Sequence, residues 1–341
     1  MRISKSDFAR LRDMLMAVAA PVAVAVLGLI VLPWFLGGDI LVRPPEFKPE
    51  AIAGGEAGAR LWVATTLIIL IVATIAAVAL SLWTMCERHW LAWGALWTVV
   101  VVGAIAWFAA SRDFAVIDHL GKDVFKVTLG AYPAGGASLR ALARAVDIAN
   151  LAGIVAAVAV AVAVAGLAPA PFQPAAAATP AQLRDAIDRA VRDIAGRARD
   201  LKYLLFAAAM VLFVAVVFMK AWRGWPLAYW DDAGRQTAGK AYETVAAASV
   251  SYDACLFVLV LAAIFIPTAL RLRAAGRDVA ASDPAVGNDP AARDRWLTAH
   301  GIVLSVSEQA QRVIAIVLPF LAAPAGDLVQ TGLKHAATLL S

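Results

Sequence analysis

Long uninterrupted apolar blocks, separated by short polar segments, dominate this chain. Each of six blocks is long enough to cross a hydrocarbon core of about 30 Å as an α-helix that rises about 1.5 Å per residue. We therefore predict an all-α fold, a polytopic transmembrane helical bundle with about six spans. The predicted spans lie near residues 14–36, 61–84, 90–110, 148–168, 203–219 and 250–270.

Two of these blocks admit another interpretation. Met14–Leu36 follows basic residues, as a signal peptide would, but it exceeds the usual apolar signal region of about 7–15 residues, so we predict a retained anchor. Val and Ala alternate from Val158 to Val164, which is typical of a strand in a soluble protein. A lone strand would leave its backbone amides unpaired in lipid, so a helix is predicted here too.

Composition favours the same membrane location. Hydrophobic residues make up 62% of the chain and charged residues 16%, against about 45–50% and about 25% in soluble domains. We predict a transmembrane domain over residues 1–271, followed by a cytoplasmic or membrane-surface segment over residues 272–341. The net charge of +5 does not form a basic stripe interleaved with aromatics, so we expect no nucleic-acid partner.

The distribution of Lys and Arg predicts the orientation. If the N-terminus is inside, the inner segments hold 18 of the 30 Lys and Arg residues, and the bias is steepest beside span ends, as at Arg271 and Arg273. Cytoplasmic loops of membrane proteins carry such an excess. We therefore predict a multi-pass protein of a bacterial inner (cytoplasmic) membrane with both termini in the cytoplasm.

A cytoplasmic helix over residues 180–202 is predicted before the fifth span. Thr179, Pro180 and Gln182 supply an N-cap, a first-turn proline and a capping-box partner. The helix is amphipathic, because charged pairs at i,i+4 (Asp185–Arg189 and Asp188–Arg192) lie away from an apolar face. That face comprises Leu183, Ile187, Val191 and Ile194.

The same helix is expected to continue into the fifth span as one rod about 60 Å long. Two interpretations remain open. The rod acts as a lever or oligomerisation stalk that couples cytoplasm to membrane, or its apolar face packs on a neighbouring inner segment as a simple linker.

The C-terminal region is predicted as a loop from Arg273 to Asp289 and then a helix over Trp296–Leu321. Glu308 and Arg312 lie at the centre of that helix, and each charge would cost about 2.5–3.5 kcal/mol at mid-bilayer. We favour a helix at the inner membrane surface or docked on the bundle, with a seventh span as the alternative. Glu308 is then either an intramembrane site paired with Arg312 or part of a solvated face.

Ionisable side chains inside spans are costly and are therefore candidates for function. Asp253 lies about one turn inside the sixth span, next to Tyr252. Asp253, Tyr252 and Glu308 form our candidate ion or proton pathway. The alternative for Asp253 is an interfacial carboxylate paired with Arg235 or Lys240.

Small residues recur at intervals of four in the fourth span. Such residues on one face let helix backbones approach closely, which drives association in lipid. We predict a helix-packing seam here, although an Ala-rich chain also produces this spacing by chance. The seam comprises Gly153, Ala157, Ala161 and Ala165.

No motif for catalysis, cofactor binding or metal binding stands out in the sequence. The four histidines are scattered, and Asp118, His119 and Asp123 match no spacing typical of metal ligands. Nucleophilic side chains lack a partnered base in any known pattern. We expect no enzymatic activity, no cofactor and no metal.

The sequence supports two functional hypotheses. The first is a non-enzymatic integral membrane protein acting as an oligomeric effector, sensor or assembly component. Its partners would be membrane lipids and either further copies of itself or another membrane or cytoplasmic protein. The alternative is an ion or small-solute channel or transporter, for which the spans offer few polar residues. An enzyme acting on lipid is a weaker third possibility.

Overall fold

The computed structural model describes residues 53–86, 151, 153–169, 172, 179–229, 239–284, 286, 289–302 and 314. Within these ranges the chain is helical and contains no β-strand. A 3₁₀ helix, Trp225–Tyr229, follows the third of five α-helices. These are α1 (Ala53–Cys86), α2 (Gly153–Gly166), α3 (Pro180–Gly224), α4 (Lys240–Ser282) and α5 (Pro290–Ala299).

Three of these helices, α1, α3 and α4, are long and apolar enough to cross a membrane. The apolar blocks 61–84, 203–219 and 250–270 each lie within one of them. The chain is therefore an all-helical protein with the features of a membrane protein. The predicted spans 14–36 and 90–110, and Glu308 in the C-terminal region, lie outside the described residues.

Helix α1 buries small hydroxyl residues among apolar ones and exposes large apolar side chains. Its buried positions recur at alternating intervals of three and four, the spacing of helices packed side by side. They include small hydroxyl residues, with Thr66 only 1% and Ser81 0% exposed. The outward face carries large apolar residues, with Leu61 69% and Ile75 63% exposed. Such a face is stable against lipid, where aliphatic side chains need no burial.

Three of the four buried hydroxyl groups of α1 donate within the helix itself, whereas Thr74 Oγ1 has no hydrogen-bond partner among the described residues. Thr66 Oγ1 donates to the carbonyl oxygen of Trp62 at 3.0 Å, and Ser81 Oγ donates to that of Ala77 at 2.7 Å. Thr84 Oγ1 does the same to Leu80 at 2.9 Å. These groups therefore stay inside the bundle without polar partners on another helix.

The predicted start of α3 is confirmed. Thr179 Oγ1 accepts from the backbone N–H of Gln182 at 3.3 Å, and Gln182 Oε1 accepts from that of Thr179 at 2.9 Å, with Pro180 in the first turn. The helix continues without a break to Gly224, 45 residues in all. At about 1.5 Å per residue it is about 67 Å long. The predicted continuity with the fifth apolar block is confirmed as well.

The apolar face of this first half of α3 is buried within the chain. It belongs to one apolar cluster with residues of α4 and α5, so this face packs within the chain, and both interpretations of the rod stay predictions. Its charged face differs in detail from the predicted ion pairs. Arg189 Nε and Arg192 Nε donate to the backbone carbonyl oxygens of Asp185 and Asp188, each at 3.2 Å, rather than to the carboxylates. The members of the cluster include Ile187, Val191, Ile194, Leu272, Ala275, Val279 and Leu297.

Helix α4 corrects the prediction of a loop after Arg273, because it continues to Ser282. Gly276 lies in this last stretch of α4. Its missing side chain makes room for α5. A Cβ atom at Gly276 would lie 2.8 Å from Leu297 Cδ2 and 2.7 Å from Ile302 Cγ2.

Helix α5 also corrects the predicted helix start at Trp296. It begins at Pro290, where the Asp289 carboxylate caps it by accepting from the backbone N–H groups of Ala291 and Ala292 at 3.0 and 3.2 Å. It ends at Ala299, shortly before Gly301, whose φ of 68° is left-handed. Asp–Pro is a recognisable N-terminal signal that the sequence analysis overlooked.

Polar contacts fasten α5 to α4. Trp296 Nε1 donates to Asp283 Oδ2 at 3.2 Å. Asp294 Oδ1 lies 3.5 Å from Arg277 Nη2 and 3.9 Å from Arg273 Nη2. Leu297 is fully buried and belongs to the same apolar cluster as the α3 apolar face. The first half of α3, the last turns of α4 and α5 together form a helical unit that we call the head.

Substitution of Gly276 tests how the head is assembled. We expect Gly276→Leu to overpack the junction and displace α5, which lowers stability by about 1–3 kcal/mol. Hydrogen exchange over residues 290–302 should accelerate, together with a lower unfolding temperature in detergent. Gly58→Leu is the matched control, because a Cβ there meets nothing within 4 Å. Unchanged exchange in Gly276→Leu would contradict the docking of α5 at this glycine.

Candidate functional site

The charged cluster inside the α3–α4 hairpin lies at the end where the two helices are connected. Arg223, in the last turn of α3, faces Ser249 and Asp253 of α4. The two helices therefore run antiparallel, with their registers set by this contact. Arg223 is well placed on α3, because a cation near the C-terminus of a helix interacts favourably with the helix dipole.

The geometry of the cluster is that of a hydrogen-bonded ion pair. Arg223 Nη2 donates to Asp253 Oδ2 at 2.8 Å, and Nη1 donates to Ser249 Oγ at 3.0 Å. Tyr242 Oη donates to the carbonyl oxygen of Arg223 at 2.9 Å. The two charged side chains are only 15% and 17% exposed. Charge-assisted hydrogen bonds of this length are among the stronger polar contacts in proteins.

The pairing changes the interpretation of Asp253. Lys240, one of the partners predicted from the sequence, lies on the same continuous helix and is about 20 Å away along its axis. The other, Arg235, lies outside the described residues. The sequence signal that was missed is Arg223, just beyond the fifth apolar block on the helix that packs against α4. Asp253 is therefore a paired carboxylate.

The other two residues of the predicted pathway, Tyr252 and Glu308, are not shown together at this cluster. Tyr252 is partly buried beside Asp253, but consecutive residues on a helix do not face the same direction. Glu308 is outside the described residues. A pathway through Asp253, Tyr252 and Glu308 stays a prediction.

The four small residues of α2 fall into two halves. Ala161 and Ala165 are buried inside the chain. Ala157 is exposed, and a Cβ atom at Gly153 would meet nothing within 4 Å. Among the described residues the second half is buried, and the first half stays a predicted surface for association.

The uncharged parts of α3 and α4 match in length. They are residues 203–219, between Lys202 and Lys220, and residues 254–270, between Asp253 and Arg271. Each is about 25 Å long as a helix. Because the Arg223–Asp253 pair aligns them at one end, their other ends also lie at a common level. The hairpin therefore has charged groups at two levels, separated by an apolar layer.

Metal binding has no support in the part of the chain that the structure describes, where no three His, Cys, Asp or Glu side chains come together. Comparison of the whole chain with protein-family models, curated proteins and solved structures finds no match. The function is therefore argued from the chain's own geometry.

Variants of the ion pair test its role in the hairpin. Removing one partner leaves a largely buried charge uncompensated, so we expect Arg223→Met or Asp253→Leu each to cost about 3–5 kcal/mol. The double variant should recover most of that loss, because two apolar side chains replace the pair. Equilibrium unfolding in mixed micelles measures these differences.

The control for this cycle is Asp185→Asn, which changes an exposed carboxylate in the head. It should leave stability within about 0.5 kcal/mol of the original chain. A double variant as unstable as the sum of the single variants would show that Arg223 and Asp253 are not coupled.

Proposed function

We propose that this chain is a non-enzymatic integral membrane protein that acts as an oligomeric effector, sensor or assembly component. The observation that supports this most is the unbroken helix α3, which runs from the head through a complete apolar segment. A helix without a hinge transmits a displacement at one end to the other. Contacts made by the head would therefore move the membrane-embedded part directly.

The packing of the head supports a coupling role. Ile187, Val191 and Ile194 of α3 share one apolar cluster with α4 and α5. The cluster continues into the apolar segment through Leu201, Leu204 and other buried residues of α3. Closely packed interiors shift between discrete arrangements rather than deforming gradually. Head and bundle would accordingly move as one body.

Association between copies is supported by two surfaces. The outward face of α1 carries large apolar side chains from Leu61 to Trp83, and the first half of the α2 seam offers small residues at the half-buried Gly153 and the exposed Ala157. Small residues allow close backbone approach between helices in lipid. We propose a homo-oligomer first and another membrane or cytoplasmic protein as the further partner.

The proposed location is a bacterial inner membrane with the head and both termini in the cytoplasm. Support comes from the charges at the head-side ends of the apolar segments, namely Lys202 on α3 and Arg271 and Arg273 on α4. Lys and Arg beside span ends are the residues that determine orientation.

A channel or transporter is less well supported. The buried hydroxyl groups of α1 that bond within their own helix offer fewer sites for a passing ion. Asp253 already has a cationic partner. Conductance of reconstituted liposomes across several ions and pH values separates the two hypotheses, and silence in every condition would favour the proposal made here.

Oligomer formation is the direct test of the proposed function. Native mass measurement in mild detergent should show a defined oligomer. Gly153→Leu should shift it toward monomer, because a side chain there blocks helix approach between copies without clashing inside the chain. Gly58→Leu, also a helical glycine facing open space, is the control. A strictly monomeric particle in several mild detergents would contradict the proposal.

Cysteine labelling tests the orientation. In a Cys86→Ala, Cys255→Ala background, Glu243→Cys and Ala281→Cys place single exposed thiols near opposite ends of α4. A membrane-impermeant maleimide added to intact cells with a permeabilised outer envelope should label position 243. Position 281 should react only after the inner membrane is opened. The reverse pattern would place the head on the outer side.

A further inference from the structure

Helix α2 has no polar side chain with which to define its own position. From Gly153 to Ala168 the chain consists of glycine and aliphatic residues alone. Every position from Ala159 to Ala165 is buried, so this part of the helix is enclosed on all sides. Because valine and alanine alternate there, several axial positions of α2 would offer its neighbours a similar surface. Contacts between aliphatic groups are individually weak, so packing alone defines the position of α2 poorly.

A contact from the head reaches the end of this helix. Arg197 Nη1, on α3, donates to the carbonyl oxygen of Ala168 at 3.1 Å, and the Arg197 side chain is only 20% exposed. Ala168 lies just beyond α2, where i,i+3 hydrogen bonds from the N–H groups of Leu167 and Ala168 close the last turn. Carbonyl groups at this end of a helix lack intrahelical donors and carry partial negative charge, so a guanidinium group is a favourable partner.

Arg197 differs from two other arginines on the first half of α3. Arg189 and Arg192 are exposed, and their Nε atoms donate to backbone carbonyl oxygens of their own helix. Arg197 Nε instead donates to the Asp193 carboxylate at 2.7 Å. The carboxylate thereby orients the guanidinium group and leaves Nη1 for Ala168.

A single polar contact among apolar surfaces can select one register of packed helices. Displacement of α2 by one turn, about 5.4 Å, would separate Ala168 from the largely buried Arg197 guanidinium. Since α2 runs from Gly153 to Gly166 as one helix, its two ends move together. The small residues Gly153 and Ala157 therefore depend on a contact made about 22 Å from Gly153 along the helix.

We propose that Arg197 is a positioning residue, which fixes the axial position and rotation of α2 relative to the head and thereby orients the surface at Gly153 and Ala157. The second step rests on the proposed function, in which copies associate through that surface. The head would then act on the association of copies through α2 as well as through α3.

Hydrogen exchange along α2 tests the positioning role. Arg197→Met removes both hydrogen bonds of the guanidinium group but keeps a long, unbranched side chain. In the full chain in detergent, exchange should become at least about fivefold faster over residues 164–168 and also over residues 153–158. A purely local loss would change only the first segment. Unchanged exchange over residues 153–158 would overturn the proposal.

Two control variants separate this contact from arginine content and from stability. Arg189→Met is the same substitution on the same helix, at an arginine that bonds to its own backbone. Val191→Ala lowers stability by removing buried side-chain volume from the head and leaves Arg197 and Ala168 in place. Both should keep exchange over residues 153–158 within about twofold of the original chain. Acceleration in either control equal to that in Arg197→Met would refute the positioning role.

A covalent link in place of the hydrogen bond supplies the complementary experiment. In a Cys86→Ala, Cys255→Ala background, Arg197→Cys and Ala168→Cys are joined by a short bifunctional thiol reagent. The unjoined variant should show the fast exchange of Arg197→Met, and the joined variant should return to the rate of the original chain. Fast exchange that persists after joining would argue decisively against a positioning role.

Native mass measurement separates the two steps of the proposal. Arg197→Met should weaken association by at least about fivefold, and the covalent link should restore it. A monomeric original chain would contradict the proposed function and the second step, while hydrogen exchange still decides whether Arg197 positions α2. Undiminished association in Arg197→Met would show that the surface at Gly153 and Ala157 does not depend on this contact.

Discussion

The alignment of α3 with α4 by Arg223 and Asp253 is the interaction on which the rest of the described architecture depends. A salt bridge in a poorly hydrated place contributes little net stability over an apolar pair, but it strongly disfavours any register that separates its partners. One turn of slippage would move a guanidinium and a carboxylate into apolar surroundings without each other. The pair therefore determines which residues of the two helices lie at the same depth.

From that alignment follow the matched apolar layers and the position of the head. Two of the three helices of the head are extensions of α3 and α4, so the head continues directly into the apolar segments of the hairpin. Its apolar cluster and the bundle interior are continuous along α3 from Ile187 to Phe218. The outward face of α1 consists mainly of large apolar side chains, which a soluble protein would bury and which are stable in contact with lipid.

Sequence patterns predicted the features that arise from local chemistry. The capping box at Thr179 and the apolar stripe at Ile187 and Val191 depend on residues within a few turns of one another, and both are present in the structure. The role of Gly276 was not predicted, because it depends on a segment that returns from later in the chain to pack against this glycine. Arg223 was overlooked for a related reason, since its partner is 30 residues away in sequence. The periodicity of apolar residues does not indicate tertiary contacts of this kind.

The equal apolar segments of α3 and α4 have a mechanical consequence for the surrounding bilayer. At about 25 Å they are shorter than a typical hydrocarbon core of about 30 Å, so hydrophobic mismatch arises around the hairpin. Upright helices of this length draw the two leaflets toward each other, and the long Lys202 and Lys220 side chains extend to the interface to reduce the distortion. The uncharged run of α1, residues 61–86, is about 39 Å long and meets the same thinned membrane by tilting. A membrane-embedded hairpin of this length would favour thin regions of a bilayer, and copies placed in one thinned patch would be attracted through the lipid itself.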